Sequence, residues 1–199
     1  RDANYFLELQ TKTGWGRVLE RFAAWCAPAA GSRVLDVGTG PGLFAALLAA
    51  QSAWGVGVDL DLANFAVPQH TEIAVADALR LPVPPAAFDM LTASNLLFLL
   101  PDPPAALQEI ARVLKPGSVL CTLNPSEQMS IAAATQLADE AELEGLARDT
   151  LINYGRRAEK YHAWSEADLG DLFARAGRML VESKTTKGPG LERFARARK

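Results

Sequence analysis

Val34-Leu35-Asp36-Val37-Gly38-Thr39-Gly40-Pro41-Gly42, followed by Leu43-Phe44-Ala45-Ala46-Leu47-Leu48-Ala49-Ala50, decides the reading of this chain. An apolar run carrying a carboxylate meets a glycine-rich turn and then a helix-forming run. The order predicts strand, tight loop and helix. Such a loop lets a ligand approach the backbone closely and lie near a helix N-terminus. Leu43 stands where a dinucleotide fingerprint wants a third glycine or alanine. Asp36, two residues before Gly38, would crowd an anionic pyrophosphate but suits a cofactor with a positive amino group. A phosphate-binding P-loop is excluded, because no Gly-Lys-Ser/Thr follows.

Downstream, Ala53-Trp54-Gly55-Val56-Gly57-Val58-Asp59-Leu60-Asp61 reads as a buried strand ending in acid. An acid at the end of a second strand accepts hydrogen bonds from ribose hydroxyls, and it would repel a 2′-phosphate. Taken singly, Asp36 and Asp59 also read as strand-end caps, and Asp77 as the N-cap of a turn.

In order along the chain, these segments resemble the class I S-adenosylmethionine-dependent methyltransferases, and more narrowly the group that includes ubiquinone- and menaquinone-biosynthesis enzymes. Val34–Gly42 is similar to the family's glycine-rich motif, Asp59 to its ribose-binding acid, and Ala76-Asp77-Ala78 to its third motif. Phe88–Asn95 looks like the fourth strand, and Arg112–Leu120 like the helix, turn and fifth strand. The resemblance covers residues 30–123 strongly and the last 35 residues weakly. It implies S-adenosylmethionine as cofactor. Asp36 would face the cofactor's ammonium through water or the loop. Backbone N–H groups of the loop containing Gly38, Thr39, Gly40 and Gly42 would receive its carboxylate. Asp59, with Leu60 beside it, would hold the ribose diol. Asp77 and Ala78 would meet the adenine, and Asn95 the rim near the methyl group.

Composition agrees with a globular enzyme. Apolar residues are 49% and charged residues 22% of 199, with a net charge of −3, so nucleic acid is not an expected partner. Cys26 and Cys121 read as reduced, buried thiols of a cytoplasmic protein, and no metal-ligand spacing exists. No membrane span is expected. The sequence starts at Arg1 rather than Met, which predicts trimming at that end and leaves a preceding targeting segment open.

Apolar runs at 33–37, 54–58, 72–75, 88–94 and 117–123 alternate with helical patterns. The expected fold is an α/β, Rossmann-like, doubly wound, mostly parallel seven-stranded sheet with an antiparallel last strand, in a single domain over 1–199. Residues 1–29 would form a cap helix, with Tyr5 and Phe6 ahead of it. Residues 30–123 would be the cofactor core. Residues 124–164 would be a helical lid, with Asp139 to Tyr161 read as one helix. Residues 165–199 would add a capped helix and two antiparallel strands. Lys184, Lys187, Arg193, Arg196, Arg198 and Lys199 read as a solvated edge.

Two candidates for a catalytic group lie in the lid, His162 as a general base and Tyr154. His70, in a turn, reads as a surface residue. Leu96-Leu97-Phe98 after Asn95 argues against methylation of planar amide or exocyclic nitrogens. The resulting expectation is a methyltransferase, monomer or homodimer, acting on oxygen, carbon or nitrogen of a small, partly hydrophobic molecule. A nicotinamide-dependent oxidoreductase and a non-catalytic S-adenosylmethionine-binding protein are the alternatives.

Overall fold

The structure is a computed structural model and describes residues 5–51, 54–65 and 72–199. His70 lies outside the described residues. Seven strands form one sheet in the order β3-β2-β1-β4-β5-β7-β6: β1 (Arg33–Val37), β2 (Trp54–Asp59), β3 (Glu72–Val75), β4 (Phe88–Ser94), β5 (Leu114–Pro125), β6 (Met179–Thr186) and β7 (Glu192–Arg198). The first five pair in parallel, and β7 runs antiparallel to both β5 and β6. The expected fold class is the observed one. Val34 to Val37 are all buried, as in a parallel strand covered on both faces.

The helices are α1 (Tyr5–Lys12), α2 (Trp15–Cys26), α3 (Leu43–Ala50), α4 (Pro103–Val113), α5 (Ile131–Glu140), α6 (Gly145–Lys160) and α7 (Glu166–Arg175). The β1-α3-β2 and β4-α4-β5 connections run in opposite directions across the sheet. Right-handed crossovers therefore place α3 and α4 on opposite faces. In α2, Trp15, Val18, Leu19, Phe22, Ala23 and Cys26 are buried, one stripe at helical spacing. Phe22 stacks on Phe44 of α3 at 5.2 Å and meets Phe194 of β7 at 4.9 Å, which pins the N-terminal helix to the sheet. α7 opens with the expected capping box. The Ser165 hydroxyl accepts from the Asp168 N–H, and the Asp168 carboxylate accepts from the Ser165 N–H.

Three expectations are corrected. The alternation of strand and helix is incomplete. The described link after β2 holds a short 3-10 turn, Leu62–Asn64, and residues 76–87 join β3 to β4 without an α-helix. Pro82, Pro84 and Pro85 deny that segment helical hydrogen bonds. Arg112 clamps it instead, donating to the Val83 and Leu81 carbonyls at 2.9 and 3.1 Å, while Glu109 accepts from the Leu81 N–H. Second, Asp139 to Tyr161 is not one helix. Left-handed backbone at Glu142 (φ 48°) and Gly145 (φ 51°) separates α5 from α6. Third, Arg193 and Arg196 are no solvated edge. β7 is flanked on both sides, so Arg193 is buried and paired with Glu127 at 3.0 Å, and Arg196 pairs with Glu182 at 2.7 Å. The edge at this end of the sheet is β6.

Candidate active site

Parallel strands β1, β2 and β4 end on one side of the sheet. Between β1 and β4 the winding reverses, the place where open α/β sheets bind ligands. Here the glycine-rich loop lies across the end of β2. The Gly38 and Thr39 N–H groups both donate to the Val58 carbonyl, at 2.8 and 3.0 Å. Gly57 is what allows this approach: a Cβ there would stand 2.7 Å from the Thr39 side chain. Gly38 has φ 74°, in the left-handed region that favours glycine.

Asp59 closes the loop. Its Oδ2 accepts from the Gly40 N–H at 2.9 Å, and its Oδ1 from the Asp61 N–H and the Asn64 amide, both at 3.1 Å. With the Gly42 N–H donating to the Thr39 carbonyl, every loop N–H from 38 to 42 is used within the protein, Pro41 having none. The carboxylate role expected of these N–H groups therefore competes with bonds they already make within the protein. Backbone donors are satisfied internally before a ligand arrives.

Asp36 lies behind the loop, 2% exposed, and accepts from the Thr92 hydroxyl at 2.7 Å. Burial pushes its carboxyl up to about 7, against the lowering effect of the Thr92 bond.

A cavity of about 300 Å³ opens over these strand ends. Its floor includes Gly38, Gly40, Asp59, Asn64, Ser94 and Asn95. Its roof includes Tyr5, Phe6 and Gln10 of α1, Trp15 of α2, and Thr150, Asn153, Tyr154 and Arg157 of α6. The last four recur at helical spacing on one face. Tyr154 joins roof to floor, its hydroxyl donating to Asn95 Oδ1 at 2.6 Å. The ring is held edge-on by Trp15 at 5.1 Å and Phe98 at 5.6 Å. Burial pushes its phenol well above the usual value, so the proton stays on. Asn95 has φ 55°, a conformation asparagine tolerates better than most residues, and its N–H donates to the Leu123 carbonyl at 2.7 Å.

Of the residues picked from sequence, Gly38, Gly40, Asp59, Asn95 and Tyr154 line this cavity, as do Tyr5 and Phe6. Thr39, within the loop, is buried, and Gly42 caps α3. Leu60 is 68% exposed beyond β2. Asp77 is exposed and accepts from the Leu79 N–H at 2.9 Å in its own turn, with Ala78 buried beside it. His162 is exposed, stacks on Trp164 at 5.3 Å and does not line the cavity. Sequence reasoning missed Gln10, Asn64, Asn153 and Arg157. Asn153 and Arg157 were readable in principle, since they flank Tyr154 on the α6 face. Among the described residues, no group of three or more His, Cys, Asp or Glu could hold a metal ion, and no helix is long and apolar enough to cross a membrane.

A family model described as a methyltransferase domain matches residues 7–183. The chain is 32% identical to a demethylmenaquinone methyltransferase of Mycobacterium marinum over 166 residues, covering 79% of this chain and 72% of that protein. Against the biotin biosynthesis bifunctional protein BioHC of Cellvibrio japonicus the identity is 34% over 115 residues, covering 54% of this chain but only 23% of BioHC. In fold it is similar to an S-adenosylmethionine-dependent methyltransferase from Mesorhizobium loti, with a TM-score of 0.65, 16% identity, and coverage of 94% and 97% of the two chains. A glycine loop closed by a strand-end acid, an aromatic-roofed cavity above it and a family match across most of the length converge: this chain belongs to the methyltransferase domain family, as a class I enzyme that uses S-adenosylmethionine.

Proposed function

We propose that the cavity is the methyl-transfer chamber, with the donor along the strand ends and a small, partly hydrophobic acceptor beneath α1 and α6. One observation carries this reading. A single cavity joins the Gly38–Gly40 loop and Asp59 to an apolar, aromatic roof of Tyr5, Phe6, Trp15 and Tyr154. The floor suits the donor's chemistry. Asp59 Oδ2 accepts one protein hydrogen bond and keeps a lone pair for a ribose hydroxyl. Leu60 offers an exposed apolar surface beside it, and Asp77 and Ala78 follow the next strand, where an adenine would extend. Asp36, behind the loop, is the carboxylate that would answer a nearby ammonium, and a cation there would favour its ionised form.

When bound, S-adenosylmethionine supplies a methyl group activated on a sulfonium. The protein's part is to align and desolvate the acceptor for in-line displacement, which requires positioning more than proton transfer. Tyr154 keeps its proton, and Asp59 is engaged by the loop, so neither serves as the base. Residues 124–164, with α6 as their inner face, act as the lid over the acceptor. The mycobacterial relative's name points to an aromatic ring bearing quinone-type oxygens, and the roof suits such a ring.

The test has two arms. S-adenosylmethionine and S-adenosylhomocysteine are expected to raise the melting temperature by mass action, and NAD and ATP are not. Labelled methyl from the donor is expected on hydroxylated bicyclic aromatics and not on aliphatic amines. Equal stabilisation by NAD would return the chain to the oxidoreductase reading. Donor binding without transfer to any acceptor class would make it a binding protein.

A further inference from the structure

A hydrogen bond joins roof to floor, and its polarity has chemical content. Tyr154 O–H donates to Asn95 Oδ1 at 2.6 Å. The phenol is buried and held on two sides by Trp15 and Phe98, so it cannot swing to another partner. Turning the amide over would present its N–H₂ to the hydroxyl and leave the phenolic proton buried without an acceptor, a costly outcome. The carboxamide is therefore oriented. Its oxygen is consumed by Tyr154, and its two N–H groups make no bond among the described residues. Asn95 lines the cavity, which leaves those donors for a partner there. The left-handed backbone at Asn95 also fixes the position of the amide's stem.

We propose that the Asn95 carboxamide, oriented by Tyr154, is the acceptor-binding group of the chamber and selects molecules that present a hydrogen-bond-accepting oxygen: a carbonyl, enolate or phenolate. This rests on the chamber reading above and deepens it. Asn95 contacts the acceptor, while Tyr154 is a positioning residue that acts through the amide. An acceptor presenting only N–H groups or hydrocarbon at that point would leave the two amide donors unpaired and be disfavoured, because an unpaired buried donor pair is expensive.

Ligand-observed NMR on the full chain saturated with S-adenosylhomocysteine tests this with α-tetralone and tetralin. The two bicyclics have nearly the same shape, and only the ketone carries an accepting oxygen. The wild-type protein is expected to bind the ketone roughly five- to tenfold more tightly, the scale of one hydrogen bond. Asn95→Asp tolerates the left-handed backbone and keeps an oxygen for Tyr154 but removes both donors, so the preference should vanish. Tyr154→Phe lets the amide rotate, and the preference should shrink. A merely structural role for either residue would weaken both bicyclics alike and leave their ratio unchanged. Absence of a preference in the wild type, or its survival in Asn95→Asp, overturns the proposal. Failure of S-adenosylhomocysteine to bind the wild-type protein would be a different result, overturning the chamber reading itself.

Discussion

The floor of the cavity is organised by backbone hydrogen bonds of the glycine-rich loop, and its roof is built from helix residues. On the floor, Gly38 and Thr39 hang on the Val58 carbonyl, Gly40 hangs on Asp59, and Gly57 makes room for the loop. These contacts join segments close in sequence and adjacent in the sheet. The roof is assembled from α1 and α6, more than 130 residues apart in sequence, and meets the floor through the Tyr154–Asn95 bond. In the proposed chamber, a floor of paired backbone is rigid and chemically general, as a shared donor would require. A roof of exchangeable side chains could there be refitted to another acceptor without touching the loop. Binding function placed on a rigid scaffold by variable elements follows the same logic.

The comparison breaks most visibly at Asp36, which supports the floor from behind. Its carboxyl is raised from 3.8 to about 7 by burial. Below about pH 4 both folded and unfolded chains hold the proton. Between about pH 4 and 7 the unfolded chain releases it and the native chain keeps it. Native stability from this group therefore falls as pH rises through that window and levels off above it, by at most about 4 kcal/mol. Asn replaces the carboxyl without ionising, so the stability of wild type relative to Asp36→Asn should decline from about pH 4 to 7 in denaturant titrations. A difference that stays flat would mean the carboxyl ionises at its ordinary value and that the floor tolerates a charge behind it.

Asp59→Ala should come next in size. It removes the acceptor of the Gly40 N–H and the proposed ribose contact together. Cofactor affinity, measured by calorimetry with S-adenosylhomocysteine, should fall by about 1–3 kcal/mol. The fold should persist, because the carboxylate stands at a strand end. Unchanged affinity would reduce Asp59 to a cap of the loop.

The roof should give the smallest effect and the most selective one. Asn153→Ala is expected to slow transfer by roughly three- to tenfold, about 1 kcal/mol, while S-adenosylhomocysteine affinity stays within about twofold. Amide exchange in α6 should slow when an acceptor joins the cofactor product. Losses in both affinity and rate would show that floor and roof are one cooperative unit rather than separable halves.

How much of this was legible beforehand follows the same division. Asp36, Gly38, Gly40 and Asp59 announce themselves because strand, turn and helix signals are local, and the acid ends a strand by its place in the pattern. The break between α5 and α6 was hidden, since Glu142 carries no sign that it adopts φ 48°. The pairing of Arg193 with Glu127 was hidden as well, because which strand becomes the edge is a matter of sheet order. His162 read as well as Tyr154 did from sequence, both being polar rings in the same segment. Only packing turned one inward onto Asn95 and left the other stacked on Trp164 at the surface.

By itself, the sequence determined the strand–loop–helix unit, the parallel α/β class with its reversed last strand and the chemistry of the floor. Each depends on contacts within a few residues or on a period that folding must respect. The tertiary structure alone decided that α1 and α6 share a cavity and that the loop N–H groups are already satisfied. It alone joined the oxygen of Asn95 to the Tyr154 hydroxyl. Those outcomes depend on which distant groups compete for the same hydrogen-bonding partners once the chain is compact, and no local pattern encodes the result of that competition.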